Sequence, residues 1–202
     1  MEYSTEQLVK SVQDGNRALY ARLIQQYQQQ LYVYCYQLLL QREEAEDAVQ
    51  DVFIKAYEKL HQYTSGQSFS AWLYRIAYNH CMNMLKRQSR MKWISILTAP
   101  LKDQQHVEDG YAKVKQSELR TLSEQALLRL PPQDRALIVL RVVQEKSYEE
   151  IQEVIPISTA LLRKKVERAK KKLRTIWLEL EGNDHEYEQK LHQGAECKHA
   201  RL

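Results

Sequence analysis

Of 202 residues, 44% are hydrophobic and 28% charged, with a net charge of +4, a balance that fits a globular chain of one large or two small domains. Five glycines and four prolines make about 4.5% of the chain, against a usual share of roughly 12%, which argues against an all-β fold and for long helices. The longest uncharged run, Leu23 to Gln41, carries seven glutamines and cannot sit in a lipid core. The start, with Glu2 and Glu6, has no apolar signal stretch, and Cys35, Cys81 and Cys197 are too scattered for a disulfide framework. A reducing cytoplasm is the expected setting.

Residues 4–92 contain few breakers apart from Gly15 and Gly66 and read as successive amphipathic helices. Ala45, Ala48, Val49, Val52, Phe53, Ala56, Tyr57 and Leu60 recur at spacings of three and four, which makes them an inward stripe. The opposite face presents Asp47, Gln50, Asp51, Ile54 and Glu58. Tyr63 to Ser68 interrupts the pattern, after which Ser68 or Ser70 is placed to cap a helix holding Trp72, Leu73, Ile76 and Ala77. Phe69, Trp72 and Ile76 lie at helical spacing, so Trp72 reads as core and not as a platform for bases.

Residues 93–118 lose the periodicity and include Pro100 and Gly110. They are too long for a connection inside a compact domain and read as a flexible linker. A second helical block follows over 119–178, broken at Pro131-Pro132 and at Pro156. Residues 179–202 hold six acids against three bases and read as a flexible acidic tail. Its His185, His192, Cys197 and His199 match no compact zinc spacing, so no metal is expected. The fold class is therefore all-α: an N-terminal helical bundle, 1–92, and a C-terminal helix-turn-helix domain joined by the linker.

Charge is concentrated along this chain. Arg42 to Asp51 holds five acids and one base, Arg75 to Lys92 holds five bases and no acid, and Arg163 to Arg174 holds eight bases and one acid. Such alternation predicts two kinds of partner, one basic and one polyanionic. Ile151, Val154, Ile157, Leu162 and Val166 are spaced to join two short helices across a tight turn, with Ser158 or Thr159 capping the second. Leu162, Val166, Ala169 and Leu173 then face inward, leaving Arg163, Lys164, Arg168, Lys171 and Arg174 to point out, a surface suited to the major groove. No phosphate-cradling glycine loop, nucleophile elbow or paired catalytic carboxylate occurs, so neither catalysis nor a cofactor or small-molecule substrate is expected.

Four segments, in this order, carry a resemblance: Ala45-Glu46-Asp47 through Gln50-Asp51 to Tyr57; Phe69-Ser-Ala-Trp72 to Asn79; Leu130-Pro-Pro-Gln-Asp-Arg135; and Ser147-Tyr-Glu-Glu-Ile151. Together they resemble an extracytoplasmic-function (ECF) sigma factor of bacterial RNA polymerase. The resemblance implies that Asp47, Gln50 and Asp51 dock on core polymerase, on its β′ subunit with β as a further neighbour. It implies that Tyr74, Asn79, Lys86 and Arg87, with the loop from His61 to Ser70, read and melt the promoter −10 element. Arg163, Lys164, Lys165, Arg168 and Lys171 would read the −35 element. An inhibitory anti-sigma partner is implied too, a membrane-bound form being one option. Where the family commonly has Gly in the helix-turn-helix this chain has Pro156; where it has a small Ala this chain has Gln152; and its reading helix opens with Ala160-Leu161. A stand-alone helix-turn-helix regulator is the alternative function, and a protein that masks polymerase is a third; neither regulator nor mask would direct initiation with polymerase.

Overall fold

Ser4 opens the first helix with a reciprocal cap: its hydroxyl accepts from the Gln7 N–H, while the Gln7 side chain accepts from the Ser4 N–H. The same device recurs as Thr121 with Glu124 and as Ser147 with Glu150, so three helix starts are written locally in the sequence. The computed structural model describes residues 3–64, 66, 68–98 and 121–199, with backbone alone at 92, 94–98 and 183–199. Among the described residues there are no strands. The α-helices are α1 (Thr5–Gln13), α2 (Tyr20–Leu39), α3 (Arg42–Lys59), α4 (Phe69–Thr98), α5 (Leu122–Arg129), α6 (Pro132–Ile138), α7 (Tyr148–Val154) and α8 (Thr159–His199).

Local chemistry explains most of the boundaries. Gly15, at φ 106°, turns the chain after α1. Ser68 caps α4 by accepting from the Ala71 N–H at 3.3 Å, one of the two serines expected there. Pro132 stands at the first turn of α6, where its missing N–H costs nothing. Leu40 takes the left-handed position after α2, φ 54°, where glycine is usual; its side chain is 3% exposed, and that burial offsets the backbone cost. A π-helical turn, Val139–Val143, follows α6.

Two boundaries differ from the sequence expectation. Helix α4 runs on to Thr98, past the expected domain limit at residue 92, and α8 stays helical to His199 through most of the residues expected as a flexible tail. High charge reduces core formation but does not by itself break a helix, and Gly182 and Gly194 are the only strong breakers over 179–199. The expected linker lies outside the described residues from 99 onward, as do residues 200–202.

Helices α2, α3 and α4 bury Leu31, Tyr34, Cys35 and Leu38 against Ala45, Ala48 and Val52 and against Leu73, Ala77 and Cys81, all fully inaccessible. The alanines of α3 let its backbone approach α2 closely. The Tyr34 and Tyr74 rings lie 5.0 Å apart at 59°, and the Tyr20 hydroxyl donates to the Phe53 carbonyl at 2.7 Å. In the C-terminal half, Ile151, Val154, Leu162 and Val166 are equally buried.

The two halves share one continuous core. Arg135, 4% exposed, stitches them: its guanidinium donates to the Leu38 carbonyl at the end of α2 and, within its own half, to the carbonyls of Leu128 and Leu130. A buried cation is tolerated there because carbonyls without helical partners surround it. Further ties are Tyr36 to Glu124, 2.6 Å, and Tyr74 to Gln144, 3.1 Å.

Candidate polymerase and nucleic-acid interfaces

The expected docking residues Asp47, Gln50 and Asp51 all lie exposed on the outer face of α3. Beside them is something the sequence pattern placed only in part: a groove between α2 and α3 lined by Tyr20, Ile24, Val49, Phe53, Ile54 and Tyr57. Tyr57, assigned to the inward stripe, is 38% exposed, and Ile54 is 58% exposed. Gln50 borders both the groove and the acid face, so carboxylates and apolar surface form one continuous patch.

Asp51 is held from behind. Its carboxylate lies 3.7 Å from Lys55 Nζ and 3.5 Å from His80 Nε2, and Lys55 Nζ is 2.5 Å from His80 Nδ1. An ammonium can only donate, so Nδ1 must carry a lone pair, which leaves the ring neutral with its proton on Nε2, toward Asp51. Burial, and then the Lys55 charge, pull His80 below the ordinary histidine value, while Asp51 pulls the other way. The unfolded chain therefore takes up this proton before the folded one does. The stabilising contribution is complete above the unfolded value of about 6.5 and is lost as pH falls toward the lower folded value. We expect urea midpoints to fall between pH 7.5 and pH 5.5, and the fall to shrink in His80→Gln; an identical pH profile in that variant would contradict the assignment.

On α4, Asn79, Lys86 and Arg87 are exposed and lie along the expected −10 face. Tyr74 does not join them. It is 1% exposed, packed against the tilted Tyr34 ring and bonded to Gln144, so it leaves the set of expected DNA contacts and becomes a core residue. Its spacing to Ala77 and Cys81, three and seven residues on, was the signal for this. Trp72 is half-buried against Phe69 and Tyr63, with centroids 5.6 and 5.5 Å away. Of the loop from His61 to Ser70, residues 65 and 67 lie outside the described set.

On α8, Leu162, Val166 and Ala169 are fully buried and Leu173 half-buried, the stripe the spacing implied. Arg163, Lys164, Arg168 and Lys171 are exposed and Lys165 half-exposed on the outer side. Tyr148, which the sequence reading passed over, stands between Arg163 and Arg141, whose guanidinium carbons lie 5.3 and 5.1 Å from its ring centroid. Such contacts restrict the Arg163 side chain on the surface of α8. Glu167 is paired with Lys170 at 3.2 Å and so moderates the cationic field from within the helix. No group of three or more potential metal ligands occurs among the described residues.

Residues 23–91 match the Sigma-70 region 2 family and residues 123–173 the Sigma-70 region 4 family. The chain is 30% identical to the ECF RNA polymerase sigma factor SigW of Bacillus subtilis over 181 residues, covering 86% of this chain and 97% of that protein. The chain belongs to the extracytoplasmic-function sigma factors. Its other relatives include the RNA polymerase sigma-H factor of Pseudomonas aeruginosa, 30% identical over 82% of this chain and 89% of that one. The ECF sigma-E factor of Escherichia coli is 31% identical, with 84% and 92% covered. Among solved structures the sigma factor is similar in fold to CnrH in complex with the cytosolic domain of CnrY, with TM-score 0.62, 20% identity, and 84% and 94% of the chains covered. It is likewise similar to RpoE in complex with the anti-sigma factor NepR from Bartonella quintana, with TM-score 0.61, 22% identity, and 78% and 95% covered.

Region 4 of this sigma factor solves its glycine-free turn with proline. Ile155, before Pro156, is extended at φ −118° and ψ 104°, as a residue preceding proline must be. The Ile157 N–H then closes back on the Ile155 carbonyl at 2.7 Å, a three-residue turn. Ser158 caps α8 by accepting from the Leu161 N–H, and Leu161, 42% exposed, sits on the outer surface at its start.

Proposed function

We propose that this sigma factor binds core RNA polymerase through Asp47, Gln50 and Asp51 and directs initiation by reading promoter DNA at two places. Asn79, Lys86 and Arg87 of α4 take the −10 strand, and Arg163, Lys164, Lys165, Arg168 and Lys171 of α8 take the −35 duplex. What carries this reading is the separation of charge by helix face, an outward acid patch on α3 and an outward cationic stripe on α8, in a chain that belongs to this family. The protein performs no bond-making step. Strand opening comes from binding energy: phosphate neutralisation and held bases offset the cost of unstacking. Synthesis is left to the polymerase.

The work is placed in the cytoplasm, where the chromosome is. No helix among the described residues is long and apolar enough to cross a membrane. An anti-sigma partner is part of the proposal, supported by the two structurally similar sigma factors, each of which was solved with a protein partner.

Arg168→Ala should weaken binding to a −35 duplex, taken from fragments that the wild-type holoenzyme selects, by roughly 1–3 kcal/mol. Arg168 is exposed and remote from the core, so folding should be unaffected. Titration of labelled duplex by the holoenzyme reads the difference, and unchanged affinity and promoter choice would remove Arg168 from the reading face.

A further inference from the structure

The acid patch of α3 rests on a titratable floor. The Asp51 side chain is 56% exposed, while the His80 side chain behind it, on α4, is only 13% exposed. Lys55 Nζ and His80 Nε2 both approach the same Asp51 oxygen, Oδ2, at 3.7 and 3.5 Å. No contact among the described residues engages Oδ1. A charge-assisted hydrogen bond spans about 2.7–2.9 Å, so the carboxylate is steered from within and not clamped, and one oxygen stays free for a partner. The third side of the triangle is tighter, with Lys55 Nζ 2.5 Å from His80 Nδ1. The neutral ring thus accepts from Lys55 on one edge and turns an N–H toward Asp51 on the other.

A second proton on this ring goes to Nδ1, the nitrogen that accepts from Lys55. The acceptor is lost, and an imidazolium would face an ammonium across 2.5 Å. Like charges at that separation repel strongly, so Lys55 must swing outward, which its 39% exposed side chain permits. The imidazolium then binds Asp51 by a charge-assisted hydrogen bond, roughly twice as strong as a neutral one, and draws the carboxylate inward.

The surroundings leave this exchange to three residues. Asp51 and Lys55, both from α3, are the charged groups that act on His80. Helix α4 itself carries no acid. Helix α2 meets it with Tyr34, Cys35 and Leu38, α7 meets it at Arg75 through the Glu153 carbonyl, and Asp134 of α6 is paired with Lys172. Asp47, one turn before Asp51, pairs with no cation among the described residues, so the patch keeps that carboxylate in either state of the ring.

We propose that His80 is a positioning residue of the polymerase-docking surface: neutral, it leaves the Asp51 carboxylate outward for a basic partner, and protonated, it displaces Lys55 and withdraws that carboxylate. The inference rests on the assignment of Asp51 to the docking surface. Docking is then graded by proton uptake, since Asp47 remains. Reciprocally, a partner that takes Asp51 removes the group favouring the charged ring, so docking expels the proton. The burial and the Lys55 charge that hold His80 below the ordinary histidine value keep the surface in its docking state at neutral pH.

The test titrates the labelled full chain with core polymerase from pH 7.5 to pH 5.5, with circular dichroism at each pH. Wild type should lose at least about fivefold more affinity over this range than His80→Gln, which keeps an N–H donor but cannot take up a proton, a ratio at the lower end of ordinary coupling between sites. Lys55→Met, which removes the opposing cation, should bring the loss to higher pH, where the fold is more stable. Calorimetry at pH 6.0, in two buffers of different ionisation enthalpy, should show protons released on docking by wild type in excess of those released by His80→Gln. Parallel pH profiles, or equal proton release in the two proteins, would overturn the positioning role. Asp51→Asn at pH 7.5 separates the two levels: unchanged affinity would overturn the docking assignment itself, whereas weakened binding with parallel profiles would overturn the role of His80 alone.

Discussion

Asp47→Lys combined with Asp51→Lys is expected to abolish association with core polymerase while leaving helix content unchanged. Each substitution reverses a charge, so the patch moves by four units toward positive and meets a basic partner with like charges. Like-charge juxtaposition across an interface costs several kcal/mol. Both side chains are exposed, and the stripe of Ala45, Ala48, Val52 and Ala56 that packs α3 lies on the other side of the helix. The fold therefore has no reason to fail, although the Asp51 contact with His80 and Lys55 is lost. A pull-down with tagged core enzyme, alongside circular dichroism, checks the result. Retained binding would reject the acid patch and shift the docking role to the apolar groove alone.

Leu162→Ala should destabilise the helix-turn-helix by roughly 2–5 kcal/mol, the cost of deleting a fully buried leucine and leaving a cavity. Leu162 is 0% exposed and shares its core with Ile151, Val154 and Val166. Leu161, its neighbour, is 42% exposed, and Leu161→Ala should move stability by less than about 0.5 kcal/mol. Urea titration of the pair provides the comparison. Similar losses for both would mean that the inward stripe of α8 is misassigned, and with it the outward direction of Arg163, Lys164, Arg168 and Lys171.

The features that were legible in the sequence are those written within one or two helical turns. Spacings of three and four fixed the buried stripe of α8 and, on its other side, the cationic face; Ser68 and Ser158 marked two helix starts; the carboxylates opposite the alanine stripe marked the acid patch. What could not be read locally comes from contacts between distant residues. The family resemblance puts Tyr74 with Asn79 among the −10 contacts, yet Tyr34 and Gln144, 40 and 70 positions away, bury and bond it. Arg135 belonged to a recognisable segment, but nothing near it foretold that its guanidinium would reach the end of α2. Leu40 adopts a backbone state that favours glycine, and only the burial of its side chain accounts for it. The shared core of the two halves has the same origin, since a linker composition reports how a chain connects and not what its ends touch.

Run-off transcription with sigma-free core polymerase and genomic fragments tests the central assignment most directly. Addition of the purified chain should yield discrete transcripts from defined start sites that core enzyme alone does not produce, and the Asp47→Lys, Asp51→Lys variant should yield none. Transcripts indistinguishable from those of core enzyme alone, across the whole fragment set, would contradict it.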